Sequence, residues 1–186
     1  MFGLLQRRKS LVAGVVSGLM LLAGSSLRAA SGDTPSNPEQ YRLRLYHLHT
    51  GERIDVVYRI GDEYIPGAVA KLDQFLRDHR TGDEKDYDVK EFDLLHDLMA
   101  RLGHPNGEID IVCGYRTPWS NNWLREHGHG VAEHSQHMEA KAIDIRVPGV
   151  PTAQVRDAAL SMQRGGVGYY ASSDFVHVDV GRVRRW

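Results

Sequence analysis

The sequence predicts an α+β domain with helices first and an antiparallel sheet after them. Two stretches, 66–80 and 89–102, repeat apolar residues at helical spacing. Short alternating runs bracket them and recur down to the C-terminal end. No internal repeat and no second compositional regime interrupts residues 41–186, so one domain carries the whole pattern.

The elements follow in order. Tyr41 to Tyr46 alternates, His49-Thr50-Gly51-Glu52 turns, and Ile54 to Ile60 returns, which predicts a hairpin. From Pro66 to Arg80, Val69, Leu72, Phe75 and Leu76 share one helical face. From Val89 to Leu102, Phe92, Leu95, Leu98, Met99 and Leu102 do the same. Both stripes read as core. Ile109 to Cys113 is a short buried strand, and its cysteine, the only one in the chain, reads as an inert buried thiol with no disulfide partner. Ser120 to Glu126 predicts a short helix, Gly128 to Gln136 a loop and Lys141 to Val147 another strand. A helix runs from Pro151-Thr152 to Met162 with Thr152 as its N-cap. Gly165 to Tyr170 then leads into a hairpin whose second strand is Phe175 to Val180. Gly166-Val167-Gly168 lacks the third glycine and following helix of a nucleotide loop and reads as a tight turn.

The first 31 residues predict an export leader. Arg7, Arg8 and Lys9 precede an apolar stretch from Leu11 to Leu22, and Ala29-Ala30-Ser31 supplies small residues for cleavage after Ser31. The paired arginines suggest the twin-arginine route, although Ser10 stands where that signal usually carries Phe. Residues 32–40 form a polar linker with Pro35 and Pro38, and 41–186 the domain. The expected location is the periplasm, with no lasting membrane anchor once the leader is removed. An uncleaved leader would instead make a membrane-tethered scaffold. The whole chain carries a net charge of -1, but residues beyond 30 hold 19 basic against 24 acidic side chains. Such a body lacks the basic surplus that nucleic acid requires.

The chemistry concentrates around His137, Asp144 and His177. Asp144 sits in the alternating run Ala142 to Val147, and His177 lies mid-strand between Val176 and Val178. Two imidazoles and one carboxylate leave a fourth position open on zinc, as catalytic sites do. If the three converge, a metal-dependent hydrolase is expected. Four histidines crowd residues 127–137, so His127, His129 and His134 are further candidate ligands, with a solvated loop as the plain alternative. The helical HExxH pair of many zinc proteases is absent.

Several ordered motifs carry a resemblance. They are Ser135-x-His137-x6-Asp144, Asp174-x-x-His177, Leu48 to Glu52, Cys113 to Pro118, Gly165 to Tyr170 and Phe175 to Arg182. Together they resemble the zinc D,D-peptidases of the Hedgehog/D-alanyl-D-alanine peptidase superfamily, closest to the murein endopeptidase K group. The resemblance implies zinc held by His137, Asp144 and His177. It implies Arg116 as the holder of a substrate carboxylate or carbonyl oxygen, and Ser135 as a substrate contact or loop cap. It implies Asp174 as the general base. Asp179 shares a strand face with His177 and is the runner-up, or a partner orienting an imidazole. The substrate implied is a peptide stem or cross-link of peptidoglycan, cut by an endopeptidase or a carboxypeptidase. A zinc-containing peptidoglycan-binding module without catalysis is the alternative. Two departures stand out. Ala140 replaces the usual glycine between the first ligand and the Asp, so a right-handed or extended turn is expected there. Asp174 falls on the opposite face from His177 under strict alternation, and reaches the metal only if the strand bends.

Overall fold

Alternation builds the sheet, and the sheet carries the site. The computed structural model describes residues 39–128 and 131–186. The leader, linker residues 32–38 and His129 lie outside them. Strands β1 (Gln40–His47) and β2 (Arg53–Ile60) form the expected antiparallel hairpin, and the two-residue β3 (Glu63–Tyr64) extends it. Helices α1 (Pro66–Phe75) and α2 (Val89–Arg101) follow. The chain continues through β4 (Ile109–Cys113), α3 (Pro118–His127), β5 (Ala142–Arg146), α4 (Thr152–Met162), β6 (Gly166–Tyr170), β7 (Phe175–Asp179) and β8 (Arg184–Arg185).

The eight strands form one sheet in the order β3-β2-β1-β4-β5-β7-β6-β8. The class is α+β, as expected, but the sheet is not wholly antiparallel. The β1–β4 and β6–β8 pairs are parallel. Parallel neighbours need a long crossover, and α1 and α2 supply one between β2 and β4. Leu43, Leu45, Ile109, Ile111, Ile143, Ile145, Val176 and Val178 of the strands are buried in one cluster with Leu72, Leu76, Phe92, Leu95 and Leu98 of the helices. With Ile143 and Ile145 on the core face of β5, and Val176 and Val178 on that of β7, alternation leaves Asp144, His177 and Asp179 on the other face. The core thereby fixes which side of the sheet carries the polar groups.

Four local expectations are corrected. Gly166-Val167-Gly168 is not a tight turn but the start of strand β6. Helix α1 stops at Phe75 rather than running to Arg80. Beyond it the buried Asp78 carboxylate accepts from the amides of Arg80 and Thr117 and from the Thr117 hydroxyl, holding the chain in a turn. Thr152 is not a cap, since the N-cap position of α4 is Pro151 and the Thr152 hydroxyl donates to Asp174 at 3.0 Å. Ala140 is left-handed, at φ 50° and ψ 46°. Its amide donates to the His137 carbonyl, its own carbonyl accepts from Asp88 at the start of α2, and its methyl is fully buried. These contacts hold a conformation that costs a non-glycine residue roughly 1–2 kcal/mol. Among the described residues no helix is long and apolar enough to cross a membrane.

Candidate metal centre

Register brings the first two groups together. Asp144 on β5 pairs directly with His177 on β7, so their side chains stand side by side on the polar face. His177 Nδ1 lies 2.9 Å from Asp144 Oδ1. His137 arrives from a 3-10 turn, Gln136–Glu139, whose N-cap is Ser135 with its hydroxyl accepting from the His137 amide. His137 Nε2 lies 3.2 Å from Asp144 Oδ1 and 3.1 Å from His177 Nδ1. All three side chains are buried.

The outer nitrogens define the inner ones. His137 Nδ1 is 2.8 Å from the Gly114 carbonyl, an acceptor, so this nitrogen carries the proton. His177 Nε2 is 3.0 Å from Asp179 Oδ2, so it too is the donor. Each ring then turns a lone pair toward Asp144 Oδ1. Three acceptor atoms about 3 Å apart repel one another unless a proton or a metal ion lies among them. Two neutral imidazoles and a carboxylate are a donor set that suits zinc, and their outer contacts are those of metal-bound histidines. The residues therefore fit the group.

The cluster draws positive charge. Burial alone would lower the His137 imidazole, but the Asp144 carboxylate and Cys113 outweigh it and hold it up at about 10, so without a metal a proton takes the place between His137 Nε2 and Asp144 that a metal ion would displace. Burial likewise works against ionised Asp144, yet His137 and His177 keep its carboxyl well below the usual range. Asp179 is fully buried and also held low, because His177, Arg184 and the Gly166 and Gly181 amides all donate to it.

An open cavity lies against these groups, lined by Arg116, His134, Ser135, His177, Arg184 and Trp186 among others. Arg116 is not a surface ion pair. It is 8% exposed, donates to Asn121 Oδ1 and Cys113 Sγ, and sits 3.8 Å from Asp144 Oδ2. Trp186 packs against the His177 ring at a centroid distance of 5.1 Å. Gly168, the β6 neighbour of His177, makes room for it, since a Cβ there would fall 2.6 Å from the indole.

Asp174 is not brought to the cavity. It sits left-handed at φ 52°, just before β7, and its carboxylate accepts from Thr152. Its neighbours Ser173 and Phe175 line the cavity and it does not. His127 is also elsewhere, stacked on Trp123 with Nδ1 against the Trp123 carbonyl. His134 does line the cavity, but its side chain is exposed and stands apart from the convergent three.

Two residues were missed by sequence reasoning as members of this site. Trp186 carried no signal in its own surroundings, because β8 and the close approach over Gly168 bring it there. Cys113 was read as inert, yet its sulfur, the His137 imidazole and the Asp144 carboxylate offer ligand atoms within 4.8 Å of one another. Burial opposes ionising the thiol, but His137 and Arg116 outweigh it and draw it below its ordinary value.

The Peptidase_M15_2 family pattern, described as peptidoglycan L,D-endopeptidase MepK, matches residues 35–186. The "Probable peptidoglycan L,D-endopeptidase MepK" of Haemophilus influenzae is 37% identical over 175 residues, 94% of this chain and 91% of that protein. The peptidoglycan L,D-endopeptidase MepK of Escherichia coli K12 is 41% identical over 173 residues, 90% of this chain and 94% of that protein. The protein of that name from Shigella flexneri matches equally. No solved structure matches the chain.

Proposed function

The chain belongs to the Peptidase_M15_2 family of peptidoglycan L,D-endopeptidases, and from that premise we propose that it is a zinc-dependent endopeptidase cutting peptide cross-links of exported cell-wall peptidoglycan. The observation that carries the metal reading is the pair of outer hydrogen bonds, His137 to Gly114 and His177 to Asp179, which turn two imidazole lone pairs onto one carboxylate oxygen. His137 Nε2, Asp144 Oδ1 and His177 Nδ1 would hold the ion. Bound zinc supplies Lewis acidity toward a carbonyl oxygen and toward water.

The chain's own groups do the rest. Arg116 is held by Asn121 and faces the cavity as a permanent cation, suited to a substrate carboxylate or to the oxyanion that forms at the scissile carbonyl. Ser135 caps the 3-10 turn that carries His137, and it also lines the cavity. Asp179 fixes the tautomer and the angle of His177. The proton carrier we assign is His134 rather than Asp174, because His134 is the one imidazole lining the cavity, among the described residues, outside the convergent set. An imidazole both accepts and donates a proton, the role needed between water and the leaving amine. The leader-like N-terminus supports export to the periplasm, where this substrate is found.

The test is digestion of purified cross-linked peptidoglycan by zinc-loaded protein, with released fragments read by mass spectrometry beside His137→Ala. Loss of cross-linked dimers with the wild type alone is expected. The displaced Asp174 favours a second reading, a zinc-containing peptidoglycan-binding module. One equivalent of bound zinc with no cleavage by either protein would select it.

His134→Ala is expected to lower kcat about 100-fold or more with KM little changed, and added imidazole should restore part of the rate. Retention of full kcat would remove His134 from the mechanism. Asp179→Asn is expected to weaken zinc binding about 10- to 100-fold, measured by competition with a chromophoric chelator. An unchanged affinity would mean that His177 needs no outer partner.

A further inference from the structure

We propose that Cys113 is a fourth protein donor to the divalent metal of this centre, closing its coordination in a latent form of the enzyme. The inference rests on the metal reading above and concerns a residue that reading does not use. Strand alternation from Ile109 and Ile111 would aim residue 113 into the core. A bulge in the β4–β5 ladder changes that, for Ile111 faces Ile145 whereas Cys113 faces Asp144. Cys113, Asp144 and His177 therefore occupy one row across three neighbouring strands. Zinc bond lengths put neighbouring ligand atoms roughly 3.5 Å apart in a tetrahedron. The sulfur is within 4.8 Å of the His137 and Asp144 donor atoms, wider than the spacing around a bound zinc, so it moves inward to share their ion.

The surroundings suit a thiolate ligand. Arg116 Nη2 already donates to Cys113 Sγ at 3.4 Å, and such an outer donor steadies sulfur bound to a metal. On ligation the thiol proton leaves to solvent and sulfur supplies the electron pair to the ion. Four protein donors make a closed site, whereas hydrolysis needs the fourth position for water. The sulfur-ligated form is then inactive and the sulfur-free form active. Arg116 touches both the sulfur and the cavity, so a substrate anion that draws its guanidinium away loosens the sulfur's outer contact.

The experiment is zinc-edge X-ray absorption on the full protein carrying one equivalent of zinc, wild type beside Cys113→Ser. One sulfur scatterer at about 2.3 Å is expected in the wild type and none in the variant. A wild-type spectrum with only nitrogen and oxygen neighbours would overturn the assignment while leaving the metal centre intact, and it decides even if the variant folds poorly. Failure to bind zinc at all would overturn this assignment together with the metal reading.

Discussion

Asp144→Asn is expected to lower kcat/KM at least about 1000-fold and to abolish stoichiometric zinc binding at micromolar concentration. The substitution keeps the size and shape of the side chain, so the effect isolates charge. Asp144 is the anionic member of the convergent set, and a single oxygen, Oδ1, contacts both imidazoles. An asparagine there presents either a neutral oxygen, a far weaker donor, or an amide N–H₂ that occupies the imidazole lone pairs itself. Several kcal/mol of Lewis-acid stabilisation depends on the ion being held, and each 1.4 kcal/mol is about tenfold in rate. Asp144→Glu restores the charge with one extra methylene, so partial zinc binding with poor activity is expected. Activity within tenfold of wild type in the asparagine variant, with zinc still bound, would sink the three-ligand assignment.

Much of this centre was legible because its strands alternate. Ile143-Asp144-Ile145 and Val176-His177-Val178 each put one polar residue between two core residues, which fixes the face without any knowledge of the partner. The pairing of Asp144 with His177 was not legible. It depends on register across strands separated by a helix and another strand, and no local pattern records that. Asp174 took its role from the resemblance, while ideal alternation set it on the face opposite His177. It is left-handed, a conformation that Asp tolerates better than most residues, and its carboxylate is turned onto Thr152. Ala140 shows the converse. The amino-acid type argued for an ordinary turn, while hydrogen bonds to His137 and Asp88 impose an unfavourable one.

Fold-level misses share this cause. The alternation of Tyr41–Tyr46 and the apolar run Ile109–Cys113 predicted two strands correctly, yet nothing within either run states that they pair in parallel. Cys113 was read as a buried inert thiol from its place in the apolar run that Ile109 and Ile111 begin. A single bulged residue reverses parity, and Val112 bears no mark that distinguishes it from an ordinary strand residue. The displaced residues therefore gather where β4 and β7 depart from regular geometry beside the cavity.

Relative to His47→Asn, the wild type is expected to lose about 2–3 kcal/mol of stability between pH 7 and pH 4.5. His47 is fully buried at the end of β1, and its Nδ1 accepts from the amides of His49 and Thr50. Its Nε2 is buried without a hydrogen-bond partner among the described residues. Burial, reinforced by His49 and Arg77 and opposed by Glu52, pushes this imidazole down from 6.5 to about 4. A folded value below the unfolded one means that the unfolded chain takes up the proton first. The contribution is fully present above pH 6.5 and is lost as pH falls toward 4. Protonation also turns Nδ1 into a donor facing two amide donors, so the β1–β2 turn must open to accept the charge. His79, half-buried and pushed down to about 4 mainly by burial, adds a loss of the same sign. Asp73, raised to about 6 by burial, and the buried Glu91 carboxyl, raised further, act in the opposite direction. For that reason the difference between the two proteins is the decisive quantity. Asparagine can still accept the turn amides through its side-chain oxygen but cannot titrate. Urea unfolding at both pH values measures the difference directly, and parallel pH profiles for the two proteins would show that His47 is not the residue that titrates.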